Sequence, residues 1–438
     1  MGLTAVLCAH GLAAQRSTNK SKRATAGAEA NLPGAAQAGT AQTGQAMMLE
    51  RTSQLIGKEV KDPQGQNLGV IHDIVLTPDF QQISYVALSS GGVFGAGKTL
   101  HAIPWQALHV GLKGEITLNA TAEQLKQSPG FANDNWPSEG NSRWLSAAAG
   151  AAGSATMGSQ AAAGQSAAGA PSAPMGSAAT ADAAVQMRRV THLTGMEVKN
   201  PENQDLGDIE DFAVDVSNGR IIYDIVAFGG VAGVGEKFAA VPADAVRLEA
   251  QTHVALLNAT PKTLESATFN PAQLASLGNP QEMKRLSEMF PAAPGASALG
   301  YVPPEPQAQL VADEKAWGPE GPHTKAFNPS AARTITGTVE SVGGFRPEGA
   351  PAGVSPGLRL RIKTAEGRTM TVQAGPAAYA ERQDFFVMPG DRITISGSET
   401  KIGTRTVIIA SEIKKGPQTL RLRDESGRPL WTMAPRRR

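Results

Sequence analysis

Gly92-Val93-Phe94-Gly95-Ala96-Gly97-Lys98-Thr99 has the spacing G-x-x-x-x-G-K-[ST], in which a glycine-rich turn cradles phosphates and a lysine reaches them. That chemistry needs a helix to begin at the lysine, so that free N–H groups and the helix dipole meet the anion. Here Leu100-His101-Ala102-Ile103-Pro104 follows, which reads as a strand stopped by proline, and a matching stretch downstream has Glu236-Lys237 in place of Lys98-Thr99. The motif is therefore expected to be a glycine-rich loop of a β unit. Asp73 and Asp211, with Glu59 and Glu197, are carboxylates that recur along the chain. Paired acids can do acid-base chemistry, but no nucleophile, histidine or second acid recurs with them, so they are expected to cap turns or strand-end N–H groups. His72, His101, His109, His192, His253 and His323 form no H-x-x-H or H-x-x-x-H spacing. Cys8 is the one cysteine, which excludes an intrachain disulfide and a cysteine zinc cluster. The expectation is no catalytic residue, no cofactor and no metal, and a protein that is not an enzyme.

The elements that carry these residues occur twice. Sliding the chain by 138 positions lays Leu193 to Val246 on Leu55 to Leu108 without a gap, with 21 of 54 pairs identical. Leu55, Gly57, Glu59, Val60 and Pro63 match Leu193, Gly195, Glu197, Val198 and Pro201. Leu68-Gly69-x-Ile71-x-Asp73 matches Leu206-Gly207-x-Ile209-x-Asp211, and Ile83-x-Tyr85 matches Ile221-x-Tyr223. Gly91-Gly92-Val93-x-Gly95-x-Gly97 faces Gly229-Gly230-Val231-x-Gly233-x-Gly235, and Ala102-Ile103-Pro104 faces Ala240-Val241-Pro242. Such a period is too long for a solenoid, whose units run about 20 to 50 residues, so two separately folding copies of one domain are expected. Short apolar runs punctuated by Gly, Pro, Asn and Asp read as β, with Asp62-Pro63-Gln64-Gly65 and Asn200-Pro201-Glu202-Asn203 as tight reversals. Gly91-Gly92 and Gly229-Gly230 are expected to supply positive φ or close backbone approach at strand ends. Five or six short strands with one apolar face must close or leave sticky edges, which favours a small barrel.

The order G-x-E-V, L-G-x-I-x-D, I-x-Y, G-G-V-x-G-x-G, A-[IV]-P resembles the PRC-barrel family, along the whole of both copies. The resemblance implies a six-stranded β-barrel used as a binding or adaptor module, with no cofactor or catalytic residues common to the family. Gly57, Gly69, Asp73, Gly91, Gly92 and Pro104, with Gly195, Gly207, Asp211, Gly229, Gly230 and Pro242, are the shared structural and turn residues.

Forty basic against 39 acidic residues leave a net charge of +1, so no global field draws in nucleic acid or anionic lipid. Residues 1–14 resemble the tail of a secretory signal without its basic start, which points to export. Leu7 before Cys8 argues against a lipoprotein, and the alternative is a cytoplasmic N-terminus. Residues 15–50 read as a disordered tether, 51–136 and 187–277 as the two barrels, and 137–186 as an Ala/Gly/Ser-rich disordered linker. Residues 278–333 read as a stiffer Pro-rich linker, with a short amphipathic helix at Gln281 to Phe290 that docks on a neighbouring domain. From 334 to 433 alternation returns, and five or six strands with a short helix between the third and fourth match the layout of an OB-fold. The wording T-G-T-V, G-P-x-x-Y and P-G-D-x-I-x-I-x-G is similar to small OB-like modules of exported bacterial proteins; 434–438 is a basic tail.

A single-strand nucleic-acid groove on that module would need rings and cations together. Phe345, Tyr379, Phe385 and Phe386 supply rings; Lys363, Lys401, Lys414 and Lys415 add charge to Arg359, Arg361, Arg392, Arg405, Arg421 and Arg423, the six arginines of a ligand or nucleic-acid surface. The leading expectation is an all-β, envelope-associated, periplasmic adaptor: two PRC-type barrels that pair within the chain, plus an OB-like barrel, binding unidentified protein partners or ligands without a transmembrane span. The alternative is an intracellular RNA- or ribosome-associated factor.

Overall fold

The computed structural model describes residues 47–91, 99–111, 114–133, 135–145, 185, 188–229, 236–249, 253–293, 306–351, 354–383, 385–402 and 405–431. Residues 1–14, most of the tether and of the 137–186 linker, Gly92 to Lys98, Gly230 and the basic tail lie outside them.

In the first repeat, strand β1 (Leu49–Arg51) and a one-turn helix α1 (Thr52–Leu55) precede β2 (Glu59–Lys61), β3 (Asn67–Leu76), β4 (Ile83–Ser90), β5 (Thr99–Pro104), β6 (Leu108–Val110) and β7 (Ile116–Leu118), with α2 (Ala122–Lys126) behind them. The barrel sheet has the order β5-β4-β3-β2-β7-β6, with β2 and β7 parallel. The second repeat opens on α3 (Val190–Leu193) and runs through β8 (Glu197–Lys199), β9 (Asp205–Asp215), β10 (Arg220–Phe228), β11 (Lys237–Pro242), β12 (Val246–Glu249), β13 (Val254–Leu257), α4 (Pro261–Ser266) and β14 (Thr268–Phe269). Its order is β12-β13-β8-β9-β10-β11-β14. The Asx-Pro turns set the first hairpins: Asp62 Oδ1 accepts from the N–H groups of Gln64 and Gln66 at 2.9 and 2.8 Å, and Asn200 Oδ1 from that of Gln204 at 2.8 Å. Gly69 and Gly207 lie where one strand crosses the next so closely that a Cβ would stand 2.2 Å from the Ser89 or Ala227 carbonyl oxygen, so no larger residue fits.

The barrels pair within the chain, as expected, but they share one core instead of folding as separate copies. Strand β1 leaves its own repeat and pairs with β9 of the other, Arg51 opposite Ala213. The equivalent bridge, 138 residues on, sets Arg189 opposite Val75. Ile83 N–H donates to the Gly219 carbonyl at 2.8 Å, and its counterpart Ile221 N–H to the Gln81 carbonyl at 2.9 Å. Gln82 pairs with Arg220, its own equivalent, so a pseudo-two-fold axis runs through that bridge. Leu55, Ile71 and Val86 of one barrel and Val190, Ile209 and Phe212 of the other belong to a single buried apolar cluster. The physical reason is edge protection: each barrel covers an open strand edge with backbone from the other.

Each tail folds back on its own barrel. Tyr85 OH donates to the Pro137 carbonyl at 2.7 Å, and its equivalent Tyr223 OH to that of Leu277 at 2.9 Å. Tyr223→Phe is expected to cost about 1 kcal/mol, the usual net worth of one hydrogen bond. It should also speed proteolytic cutting after residue 277, read by limited digestion; an unchanged cutting rate would show that the tail is held by packing alone.

The segment 278–333 is more than a linker. Helix α5 (Pro280–Met289), capped by Asn279, buries Leu286 and the following Phe290 in the barrel cluster, with Met283 and Met289 at its margin, as its amphipathic spacing predicts. Helices α6 (Pro306–Trp317) and α7 (Pro322–Lys325) then belong to the third domain, because Trp317 is fully buried there. Its indole N–H donates to the Ser355 carbonyl at 3.0 Å. That domain comprises β15 (Ala332–Phe345), β16 (Gly357–Thr364), β17 (Thr369–Pro376), α8 (Ala377–Arg382), β18 (Arg392–Ile402), β19 (Arg405–Lys415) and β20 (Gln418–Arg421). The order β17-β16-β15-β18-β19-β20 closes through a parallel β17–β19 pair.

Candidate functional site

The two duplicated aspartates sit where the barrels cross. Asp73, on β3, accepts from Arg189 Nε at 2.8 Å and from Thr191 Oγ1 at 2.6 Å, both at the start of the second repeat. Asp211, on β9, accepts from Thr52 Oγ1 at 2.7 Å, from the Ser53 N–H at 3.1 Å and from Ser53 Oγ at the start of the first. Each also takes the N–H of its own next residue, Ile74 or Phe212. The expected local capping is therefore only part of their role: both acids fasten the partner repeat. Glu59 and Glu197 instead pair with Lys61 and Lys199 on the surface.

The Asp73 end is the more elaborate, because the third domain joins it. Arg189, 3 % exposed, also bonds Glu381 of α8 at 2.7 Å through Nη1, and its guanidinium lies 4.1 Å from the Trp136 ring centre. One side chain thus ties both barrels, the first barrel's tail and the third domain. His72 packs edge-on to Phe386 at 4.7 Å beside it, and His192 Nε2 stands 3.8 Å from Glu381. Burial alone would push the Glu381 carboxyl up, but Arg189 and His192 outweigh it and hold it at about 2. An acid depressed in the folded state lends stability above its unfolded value, about 4.3 for Glu. That stability is lost as pH falls through about 2. Acidification below about pH 4.5 is expected to loosen the third domain first, and Glu381→Gln to flatten that limb of a stability–pH profile; identical limbs would place the titrating group elsewhere.

The third domain reaches the second barrel through arginines expected to face a ligand. Arg359 Nη2 lies 3.4 Å from Glu210 Oε2 and Arg361 Nε 3.4 Å from Glu210 Oε1, while Arg361 also pairs with Glu236 and Arg405 with Asp208. Burial pushes the Asp208 carboxyl up to about 6 despite Arg405. Gly344 N–H donates to the Thr194 carbonyl at 2.7 Å beside Gly195, and Gly57 abuts Met388. Arg423 is interior: it lies between the Phe327 and Trp431 rings at 4.9 and 5.2 Å, bonds His323, and burial lowers it to about 10. Arg421 pairs with Glu412. The six arginines therefore do not form the expected common surface; Arg392 lines a solvent cleft. The rings are no better placed for stacking, since Phe345 and Phe385 are buried and Tyr379 OH donates to the Arg421 carbonyl at 3.0 Å.

That cleft lies between β15 and the β16–β17 hairpin. Arg333, Lys363, Arg368 and Arg392 line it against one acid, Glu366. The sequence names Lys363 and Arg392 among the module's cations but not Arg333 or Arg368, because only the hairpin geometry brings residues near 333, 363 and 392 together.

The phosphate-loop-like motif lies outside the described residues up to Lys98, but Thr99 opens strand β5 and no helix starts there. Gly91 and Gly229 have φ of +70° and +68°, and Pro104 and Pro242 end β5 and β11. His101 is held by Ser90 and Ser128 at 2.9 Å each, and His253 bonds the His192 carbonyl at 2.8 Å, with burial lowering it to about 4. Among the described residues no helix is long and apolar enough to cross a membrane.

Comparison with known families places these pieces. No curated protein matches the chain. Residues 331–420, the third domain without its opening helices and its closing segment, match the MamS/MamX magnetosome protein family. Residues 47–125 and 186–263 each match the PRC-barrel domain, so the interlocked repeats are two tandem PRC-barrel domains followed by a MamS/MamX-type region.

Proposed function

We propose that the protein is a non-enzymatic adaptor of the cell envelope, associated with the magnetosome, in which the paired PRC barrels are a base and the third domain presents the binding face. The carrying observation is where charge is spent. The duplicated acids and their cations are consumed in joining the domains, whereas four cations converge on an open cleft of the third domain. The MamS/MamX match supports the magnetosome association, and the weakly apolar stretch Gly2 to Ala14 supports export. The third domain reads as OB-like: its first strand pairs with the second and fourth, its third and fifth run parallel, and a helix separates the third from the fourth. Single-strand nucleic-acid binding has less support, since stacking rings and free arginines do not share a face.

The test is location together with capture. Fractionated cells should carry the protein with envelope or magnetosome membranes, and cross-linking there should trap it with protein in a nuclease-resistant complex. Recovery in the cytosol, in complexes that ribonuclease dissolves, would replace this reading with the RNA-associated one.

A further inference from the structure

The cleft has a second property that charge alone does not describe. Strand β15 pairs with β18 over Ala332 to Thr338, but with β16 only from Gly337 to Phe345. Over Ala332 to Thr336 its other edge therefore has no ladder partner among the described residues, and this is the stretch that borders the cleft. Four of its five residues are exposed and Ile335 is half-buried. Native sheets usually blunt such an edge, because its N–H and C=O groups are a template for another strand.

We infer that this edge takes an extended acidic segment of a partner protein as an added strand. Backbone pairing along Ala332 to Thr336 would hold the segment, and alternate carboxylates would meet Arg333, Lys363, Arg368 and Arg392, while Ile335 and Met370 offer apolar contact to the other side chains. Arg333 and Lys363 have carboxylate neighbours in Glu399 and Glu340, but Arg392 has no ion-pair partner among the described residues, which leaves its charge for a ligand. The chain's own long undescribed segments do not fit: residues 1–46, 146–184 and 294–305 carry one acid each, Glu29, Asp182 and Glu305, and the tail ends in three arginines. A second copy fits no better, since it would bring the same four cations against each other. Stacked single strands are disfavoured because no aromatic ring lines the cleft.

The inference rests on the adaptor reading and names its partner class. The probe is a fluorescent ten-residue peptide of alternating glutamate and valine, titrated into the full chain at low salt and followed by anisotropy. Binding is expected, with affinity falling as salt rises. Methylating alternate backbone nitrogens of the peptide on its ladder edge should weaken it about tenfold, since it removes strand hydrogen bonds without altering charge or protein. Arg333→Glu with Arg392→Glu should also weaken it about tenfold or more, with an unchanged melting curve as the folding control. No binding, equal affinity for the methylated peptide, or a lysine–valine peptide or oligothymidylate binding more tightly overturns the inference. If the peptide fails while the full chain and the double variant still form the same envelope complex, the adaptor reading survives and only this surface falls.

Discussion

Arg189→Met is expected to destabilise the assembly by about 3 to 5 kcal/mol, the cost of removing one partner from a buried ion pair. The methionine keeps most of the apolar stem but leaves the Asp73 carboxylate, fully buried, and that of Glu381, 16 % exposed, without their shared cation. The loss should appear as an earlier urea transition and as release of the third domain to protease. Neutralising the stranded acids in the same chain, with Asp73→Asn and Glu381→Gln, should recover much of it, because an uncompensated charge costs more than an absent pair. Arg189→Lys should recover little: an ammonium cannot offer Nε to Asp73 and Nη1 to Glu381 while its plane lies over Trp136. The repeat supplies the control. Arg51, the equivalent residue, is 3.9 Å from Asp211 with its side chain 30 % exposed, so Arg51→Met should cost about 1 kcal/mol or less. Equal losses for the two arginines would mean that the third domain does not lean on this junction.

The fold was legible wherever the two copies agree. Leu55, Gly57 and Val60 on one side and Leu193, Gly195 and Val198 on the other spell the same turn-and-strand sequence, because backbone geometry and core packing admit few residues there. The interlocking was also written in the repeat, but just upstream of it: Arg51 and Ser53 stand 138 residues before Arg189 and Thr191, and all four pair with the opposite aspartates, Arg51 as an ion-pair neighbour and the others as hydrogen-bond donors. All four lie within the expected barrels but outside the matched stretches that begin at Leu55 and Leu193, so their correspondence does not show in those stretches. The docking of the third domain was legible only by subtraction. Asp208, Glu210 and Glu236 correspond to Val70, His72 and Lys98, so the acid patch that receives Arg359, Arg361 and Arg405 exists on one barrel and not the other. The cationic cleft was not legible, since no periodicity relates Arg333 to Lys363 and Arg392; a hairpin and a strand end bring them together. Composition misled at 306–325, where Pro and Ala suggested a spacer but one tryptophan, Trp317, anchors the segment in a core.

The same subtraction explains why the barrels pair with each other, and it leads to the second large effect. Across the pseudo-two-fold, Trp105 stands against Gly219, whose added Cβ would lie 2.4 Å from the indole ring. At the equivalent place on the other side, Ala243 and Gln81 border a shared pocket. Bulk has been moved from one member of each contact to the other, so the two halves complement each other while neither suits itself: a first barrel paired with its own kind would set Trp105 against Gln81. Gly219→Leu should therefore cost about 2 to 5 kcal/mol, about 1 to 2 from a side chain at positive φ and about 1 to 3 from overpacking. Gly219 has φ of +76°, so the first part stays whatever Trp105 becomes. Trp105→Ala alone should cost about 3 to 5 kcal/mol through the cavity it leaves. In the double variant the leucine enters that cavity, and the combined loss should fall short of the sum by about 1 to 3 kcal/mol, measured as a double-mutant cycle in urea. Strict additivity would show that the indole and the glycine do not constrain one another, and the basis proposed here for choosing the other barrel over a second copy would then have to lie elsewhere along the interface.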